Sequence, residues 1–222
     1  MHSDDILFEA SGIRFGIAGS DDRDELKWLL AETFTRHDPP AVSVGLTVQE
    51  FVVFVEVFSH TAAADGLTII GRDAESWEMA GGLLSDDLAA PLPPGVDRLS
   101  HKLGPVFDLM DHLTTDYLAE TKPDPGDYLH LFLLGVSERY AGRGIANRLV
   151  ATCLTNGVRR GYSVAVTEAT NRTSQHIFSK NGFKTRAQES YAEYRSSDRP
   201  VFESFASEGG PMLMERRLSA EA

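Results

Sequence analysis

Between the apolar run Leu131-Phe132-Leu133-Leu134-Gly135-Val136 and an amphipathic stretch starting at Ile145 lies the turn Ala141-Gly142-Arg143-Gly144-Ile145-Ala146. Glycines at such a junction reach backbone conformations closed to other residues and let a ligand approach the main chain. The helix that follows opens with amides that have no intrahelical acceptors, at the positive end of its dipole. Together these features bind phosphate. The expected chemistry is the holding of a phosphorylated co-substrate by main-chain N–H groups. No Lys-Ser/Thr follows the glycines, so the turn is not a P-loop. It also lacks the third glycine and the parallel α/β frame of a dinucleotide-binding turn.

Downstream, the run from Asn171 through Ser174 and Phe178 to Gly182-Phe183 has the pattern of a short helix led by Asn and closed by Gly-Phe, with a strand from Ser163 to Val166 before it. These two segments, in this order, resemble the GNAT superfamily of N-acetyltransferases, and among its members the arylalkylamine N-acetyltransferases. The family's turn is Arg/Gln-x-x-Gly-x-Gly/Ala after a strand ending in Val. Here Ala141 holds the first place, with Arg139 two residues earlier. The resemblance implies acetyl-CoA as co-substrate and no metal. Its contacts would be Leu134 and Val136 on the strand, Ala141, Gly142, Arg143, Gly144, Ile145 and Ala146 at the turn, and Asn171 and Phe178 on the later helix.

Acetyl transfer from a thioester to an amine needs a polarised carbonyl, removal of a proton from the ammonium and relief of the leaving thiolate. In the family a main-chain N–H near Leu134 to Val136 polarises the carbonyl, and attack is direct. Three residues compete as base. Strand alternation puts His130, Phe132, Leu134 and Val136 on one face. His130 then matches one of the two strand histidines of the serotonin N-acetyltransferases, with Phe132 at the other position. Asp38-Pro39 resembles the Glu-Pro of the insect arylalkylamine enzymes, although Asp before Pro is also a common turn. Glu168, at the end of the next strand, is the third. The family's thiolate acid is a Tyr four residues before the Gly of Gly-Phe. That place is Phe178, which leaves Ser174, Ser179 or water. Tyr191 and Tyr194 are candidates for an aromatic wall of the acceptor site.

The elements that must position these groups follow from periodicity. Ile13 to Ala18 has strand character, and Ser20 caps a helix through Leu26, Leu29, Leu30 and Phe34, broken at His37-Asp38-Pro39-Pro40. Thr47-x-x-Glu50 has the form of a capping box, and Phe51, Phe54, Val55 and Phe58 form one face of a second helix, with a strand as competitor. Leu67 to Gly71 and Trp77 to Leu84 are paired strands. Asp86 to Asp97 is a loop, leading to a helix from Pro105 to Leu118. The remainder alternates strand and helix and ends in two strands, the last from Met212 to Leu218. The expected fold is α/β (α+β): a mixed, mostly antiparallel sheet of about seven strands with helices on both faces. The resemblance adds that strands four and five, Leu129 to Val136 and Ser163 to Val166, splay apart.

Bulk properties agree. At 222 residues the chain suits a single N-acetyltransferase domain, 1–222, with a loop-helix insertion around 86–122. A net charge of −12 argues against nucleic acid and favours a cationic small-molecule amine as partner. No apolar stretch is long enough to span a bilayer, and the polar start Met1 to Asp5 is unlike a signal peptide. The single Cys153 excludes an internal disulfide and falls on an apolar helical face, so a cytoplasmic protein is expected. The resemblance implies a monomer or homodimer. The function expected is acetyl transfer from acetyl-CoA to a small primary amine. A non-catalytic acyl-CoA-binding domain, or transfer to an amino sugar, amino acid or protein N-terminus, is the alternative.

Overall fold

The computed structural model describes residues 6–62 and 66–219. Strands β1 (Ile6–Ala10) and β2 (Ile13–Ile17) form a hairpin around Ser11-Gly12, both at positive φ, the backbone that a two-residue hairpin turn demands. Helices α1 (Arg23–His37), α2 (Pro39–Ser43) and α3 (Val48–Ala62) follow, then β3 (Ile69–Asp73), β4 (Met79–Asp87) and α4 (Gly104–Thr121). The second half is β5 (Tyr128–Val136), α5 (Ile145–Arg159), β6 (Val164–Ala169), α6 (Arg172–Lys180), β7 (Lys184–Gln188) and β8 (Met212–Arg217). No helix among the described residues is long and apolar enough to cross a membrane.

The sheet has eight strands in the order β1-β2-β3-β4-β5-β6-β8-β7, antiparallel except for the pair β5–β6. The expected seven omits β1, whose short run carries two exposed residues and has no clean alternation. One core lies between the sheet and α5, built from Ile145, Leu149 and Cys153 against Ile69, Leu83, Leu129 and Leu131. A second lies on the opposite face, where α1 and α3 bring Leu30, Phe51 and Phe54 against Ile70, Leu84 and Leu133. Helix α1 sits hard on the sheet: a Cβ on Gly135 would meet Leu30 at 2.9 Å, so glycine is needed for that approach.

One local expectation fails and another holds. Ser20 does not cap α1. It opens a turn of 3-10 helix, and the Asp22 carboxylate takes the Gly19 amide at 2.7 Å instead. Thr47 and Glu50 do close a reciprocal capping box at the start of α3, with Thr47 N–H to Glu50 Oε2 at 2.9 Å and Glu50 N–H to Thr47 Oγ1 at 3.2 Å. That cap, with an apolar face in helical register, gives the helix and not the strand.

Candidate active site

Strand β5 carries a bulge. Leu84 pairs with Leu133 and Ser85 with Leu131, so Phe132 is the extra residue. The alternation reverses there. Leu129 and Leu131 face α5, whereas Leu133 turns to the α1–α3 side and Gly135 lies beneath α1. The single face expected for His130, Phe132, Leu134 and Val136 is therefore broken. His130 and Phe132 stay on the α1–α3 side, and Leu134 and Val136 pack against the α5 core.

Beyond the bulge β5 loses its neighbour. Pairing with β6 ends at His130↔Val166, and the last tie is Thr167 Oγ1 donating to the Leu131 carbonyl at 2.8 Å. The β5 edge from Phe132 to Val136 then has no β6 partner, so its peptide groups front a gap. A cavity of about 730 Å³ opens there. Asp38, His130, Glu168, Asn171, Ser174 and Phe178 all line it, with Leu134 at the splay. Its far wall is aromatic: Phe58 and Phe54 stand 5.3 and 5.8 Å from Phe132, ring centre to ring centre, and Phe51 stacks on Phe34 at 5.2 Å.

Val136 and the turn 141–146 do not line this cavity. They lie where β5 passes into α5. Gly142 and Gly144 take φ of +74° and +75°, and Gly144 opens α5 with no side-chain cap. The turn is exposed from Ala141 to Gly144, Ala146 is half-buried, and Ile145 anchors it in the core. Exposed amides at a helix start after two left-handed glycines fit a pyrophosphate. Arg139 is held by Glu78 at 2.7 Å, and Arg143 stacks over Tyr140 at 5.3 Å.

Asp38 terminates α1 and N-caps α2, taking the Ala41 amide on Oδ2 at 3.0 Å. Its Oδ1 accepts from Thr170 Oγ1 at 2.5 Å. Burial pushes this carboxyl up to about 6, against the lowering effect of the two hydrogen bonds. A buried carboxylate near neutrality, facing a cavity, is suited to take a proton.

His130 is differently placed. Its Nδ1 meets Asp86 Oδ1 at 2.9 Å and its Nε2 meets Glu168 Oε2 at 2.8 Å. Burial disfavours its charge, but the Glu168 and Asp86 carboxylates outweigh that and hold it well above the ordinary histidine value. Glu168 moves the other way: burial would raise it, and the charge of His130 brings it below the usual carboxylate range. Both ring nitrogens are engaged, so neither is left to receive a proton from an amine.

Ser174 lines the cavity but belongs to a cap. Its amide donates to Asn171 Oδ1 at 2.9 Å, and its hydroxyl donates to the Asn171 carbonyl at 2.9 Å. Phe178 is buried edge-on against Phe183. Tyr191 and Tyr194 are not part of the wall. Tyr191 is fully buried on Phe202, and its hydroxyl donates to the Thr170 carbonyl at 2.7 Å, bracing the segment that carries Thr170. Cys153 is buried, and burial pushes its thiol up to about 12, which leaves it inert.

Asp86 and Thr170 escape sequence reading. Asp86 falls in the expected loop, yet β4 runs through Asp87 and sets Asp86 directly opposite His130. The Asp-Asp ending of an apolar strand was the only sign. Thr170 gave none, since its partner lies 132 residues away.

Residues 114–183 match the model of the acetyltransferase (GNAT) family. No curated protein matches the chain by sequence at a significant level. Solved structures share its fold. Arylalkylamine N-acetyltransferase 2 from Aedes aegypti superposes with a TM-score of 0.81 at 20% identity, over 94% of this chain and 100% of that one. The C-terminal condensation domain of Ebony, in complex with beta-alanyl-dopamine, gives 0.84 at 16% identity over 92% and 98%. A Drosophila melanogaster polyamine N-acetyltransferase, an enzyme that forms N-acetylagmatine, gives 0.75 at 14% over 93% and 100%. At these identities the likeness is one of fold, the GNAT fold.

Proposed function

We propose, from a chain with the GNAT fold whose residues 114–183 match that family's model, that the protein transfers an acetyl group from acetyl-CoA to a small primary amine in a ternary complex. The observation that carries this reading is the cavity at the β5–β6 splay. It joins an unpaired strand edge to a buried carboxylate poised near neutrality.

In this reading the turn 141–146 holds the pyrophosphate on main-chain amides, with Ala141 in place of a basic residue. The pantetheine arm lies along the open edge of β5 and pairs with its peptide groups as an added strand would. Leu134 and Val136 supply that edge, and Asn171 offers an amide nitrogen from the head of α6. Phe178 packs beside the thioester end. A main-chain N–H at or just after the bulge polarises the acetyl carbonyl.

The amine occupies the Phe-walled side of the cavity. Asp38 takes the proton from its ammonium, the nitrogen attacks the carbonyl carbon, and the C–S bond breaks. The thiolate leaves without a side-chain acid: Phe178 has no proton to give, and the Ser174 hydroxyl is committed to the Asn171 carbonyl. A water passes to it the second proton, which the nitrogen gives up as the amide forms. His130, the first of the expected bases, is assigned no proton abstraction. The loop after β4 and helix α4 we take as an addition that roofs the acceptor side.

The test is thiol release from acetyl-CoA against a panel of arylalkylamines, diamines, amino sugars and amino acids, alongside calorimetric CoA binding. Release with one amine class, lost in Asp38→Asn with CoA binding retained, is expected. CoA binding without release from any amine would favour the second reading, a non-catalytic acyl-CoA-binding domain, to which the missing thiolate acid at Phe178 lends support.

A further inference from the structure

Across three neighbouring strands, Asp86 on β4 lies opposite His130 on β5, and Glu168 on β6, two residues beyond His130's register partner Val166, reaches the ring diagonally, so that the three form one hydrogen-bonded rung of side chains. The side chains are only 18%, 13% and 15% exposed. We propose that this rung is the acceptor-binding subsite: Glu168 receives the ammonium of the incoming amine, and Asp86, acting through His130, holds it in position. The proposal rests on the acetyltransferase reading above and assigns the amine-recognition step within it.

Three observations converge. The first is charge. Two carboxylates share one imidazole, so the rung keeps an excess negative charge even with the ring protonated. Half-buried at the side of a largely apolar cavity that His130 and Glu168 line, such an excess is costly until a cation meets it. The second is valence. Glu168 gives one oxygen, Oε2, to His130, and beyond its own main-chain amide the carboxylate has no further protein donor among the described residues. The third is direction. Glu168, in β6, and Thr170, the first residue beyond that strand, both line the cavity. Thr170 is bonded to Asp38. An ammonium on Glu168 is thereby delivered beside the group that takes its proton.

The two carboxylates then divide the work. Glu168, paired with a cation, is the weaker base and the steadier anion, which suits an anchor. Asp38, buried without a cationic partner, is the stronger base. Asp86 and His130 act as positioning residues: Asp86 fixes the ring, and the ring fixes the carboxylate.

The experiment uses steady-state kinetics on the full chain with acetyl-CoA and either 2-phenylethylamine or 1,4-diaminobutane. Glu168→Gln should raise the KM for the amine at least tenfold, leave the KM for acetyl-CoA unchanged and lower kcat less than the amine affinity. Asp86→Asn should move the amine KM the same way by a smaller factor, and Glu168→Asp should recover part of the loss. An unchanged amine KM in Glu168→Gln would overturn the proposal. So would an equal rise in both KM values, which would make the rung a strand tie that merely shapes the cofactor gap.

A second arm measures binding without turnover. Calorimetry on the CoA-loaded wild type should show each amine binding at least tenfold tighter than its hydroxyl analogue, 2-phenylethanol or 1,4-butanediol. No preference for charge would sink the anchor. This arm also separates the two readings: thiol release can fail with every amine, overturning the transferase, while the charge preference and its loss in Glu168→Gln still stand.

Discussion

Thr170 Oγ1 donates to Asp38 Oδ1 at 2.5 Å, a bond that ties the end of β6 to the junction of α1 and α2 across the head of the cavity. The two residues are 132 positions apart. The carboxylate they place there takes two hydrogen bonds and no cation, which leaves burial to dominate its proton affinity.

Asp38→Asn should therefore separate function from stability. Loss of a positioned base costs about 10²–10⁴ in kcat. The folded carboxyl, at about 6, lies above its ordinary 3.8. Its contribution to stability is thus complete below 3.8 and is lost as pH rises through about 6. Asn keeps a side-chain oxygen and an N–H for Ala41 and Thr170 and never ionises. The variant should be more stable than wild type at pH 8, by up to roughly 3 kcal/mol, and the gap should close towards pH 4. Thermal unfolding at the two pH values measures this, and an Asn variant less stable at pH 8 would contradict the buried-carboxylate account.

Thr170→Val tests the same pair from the other side. The hydroxyl lowers the proton affinity of Asp38, so removing it should raise that affinity further. In the wild type kcat/KM should climb with pH through about 6. In the variant the midpoint should lie higher, making the loss of activity larger at pH 6 than at pH 8.5. Equal loss at both pH values would mean that Thr170 acts only through packing.

Much of this site was legible in the sequence because its signals are local. The glycine turn, the Asn171 cap, the Thr47–Glu50 box and the Gly-Phe closure are each read within a few residues. What escaped is set by register. The extra residue Phe132 reverses the faces of β5, and no periodicity announces a bulge that depends on pairing with β4. His130 looked like a free base until Asp86 came opposite it and Glu168 beside it. Tyr191 looked like a wall residue and proved to be a buried brace, since its partner Phe202 lies in an irregular segment with no pattern to read.

Ser174→Ala distinguishes a cap from an acid. Its hydroxyl gives its proton to the Asn171 carbonyl at 2.9 Å and accepts weakly from the Asn171 amide at 3.3 Å. Loss of that half of the box should cost about 1 kcal/mol of stability, read by urea unfolding, and should change kcat less than tenfold. A drop of a hundredfold or more, with unchanged CoA affinity, would instead give Ser174 the thiolate.

Gly144→Ala isolates the turn. The residue sits at φ +75°, and a Cβ there would meet nothing within 4 Å, so the substitution brings no clash. Its cost is conformational, about 1–2 kcal/mol for an L residue held in the left-handed region, and relaxation to negative φ would swing the first amides of α5 away from a pyrophosphate. CoA affinity should fall at least tenfold by calorimetry while the amine-side cavity is untouched. Gly104 is the matched control: it also opens a helix, α4, and a Cβ there also meets nothing within 4 Å, but its φ is −47°. Gly104→Ala should leave CoA binding unchanged. If both variants behave alike, the left-handed geometry of the turn is not what holds the co-substrate.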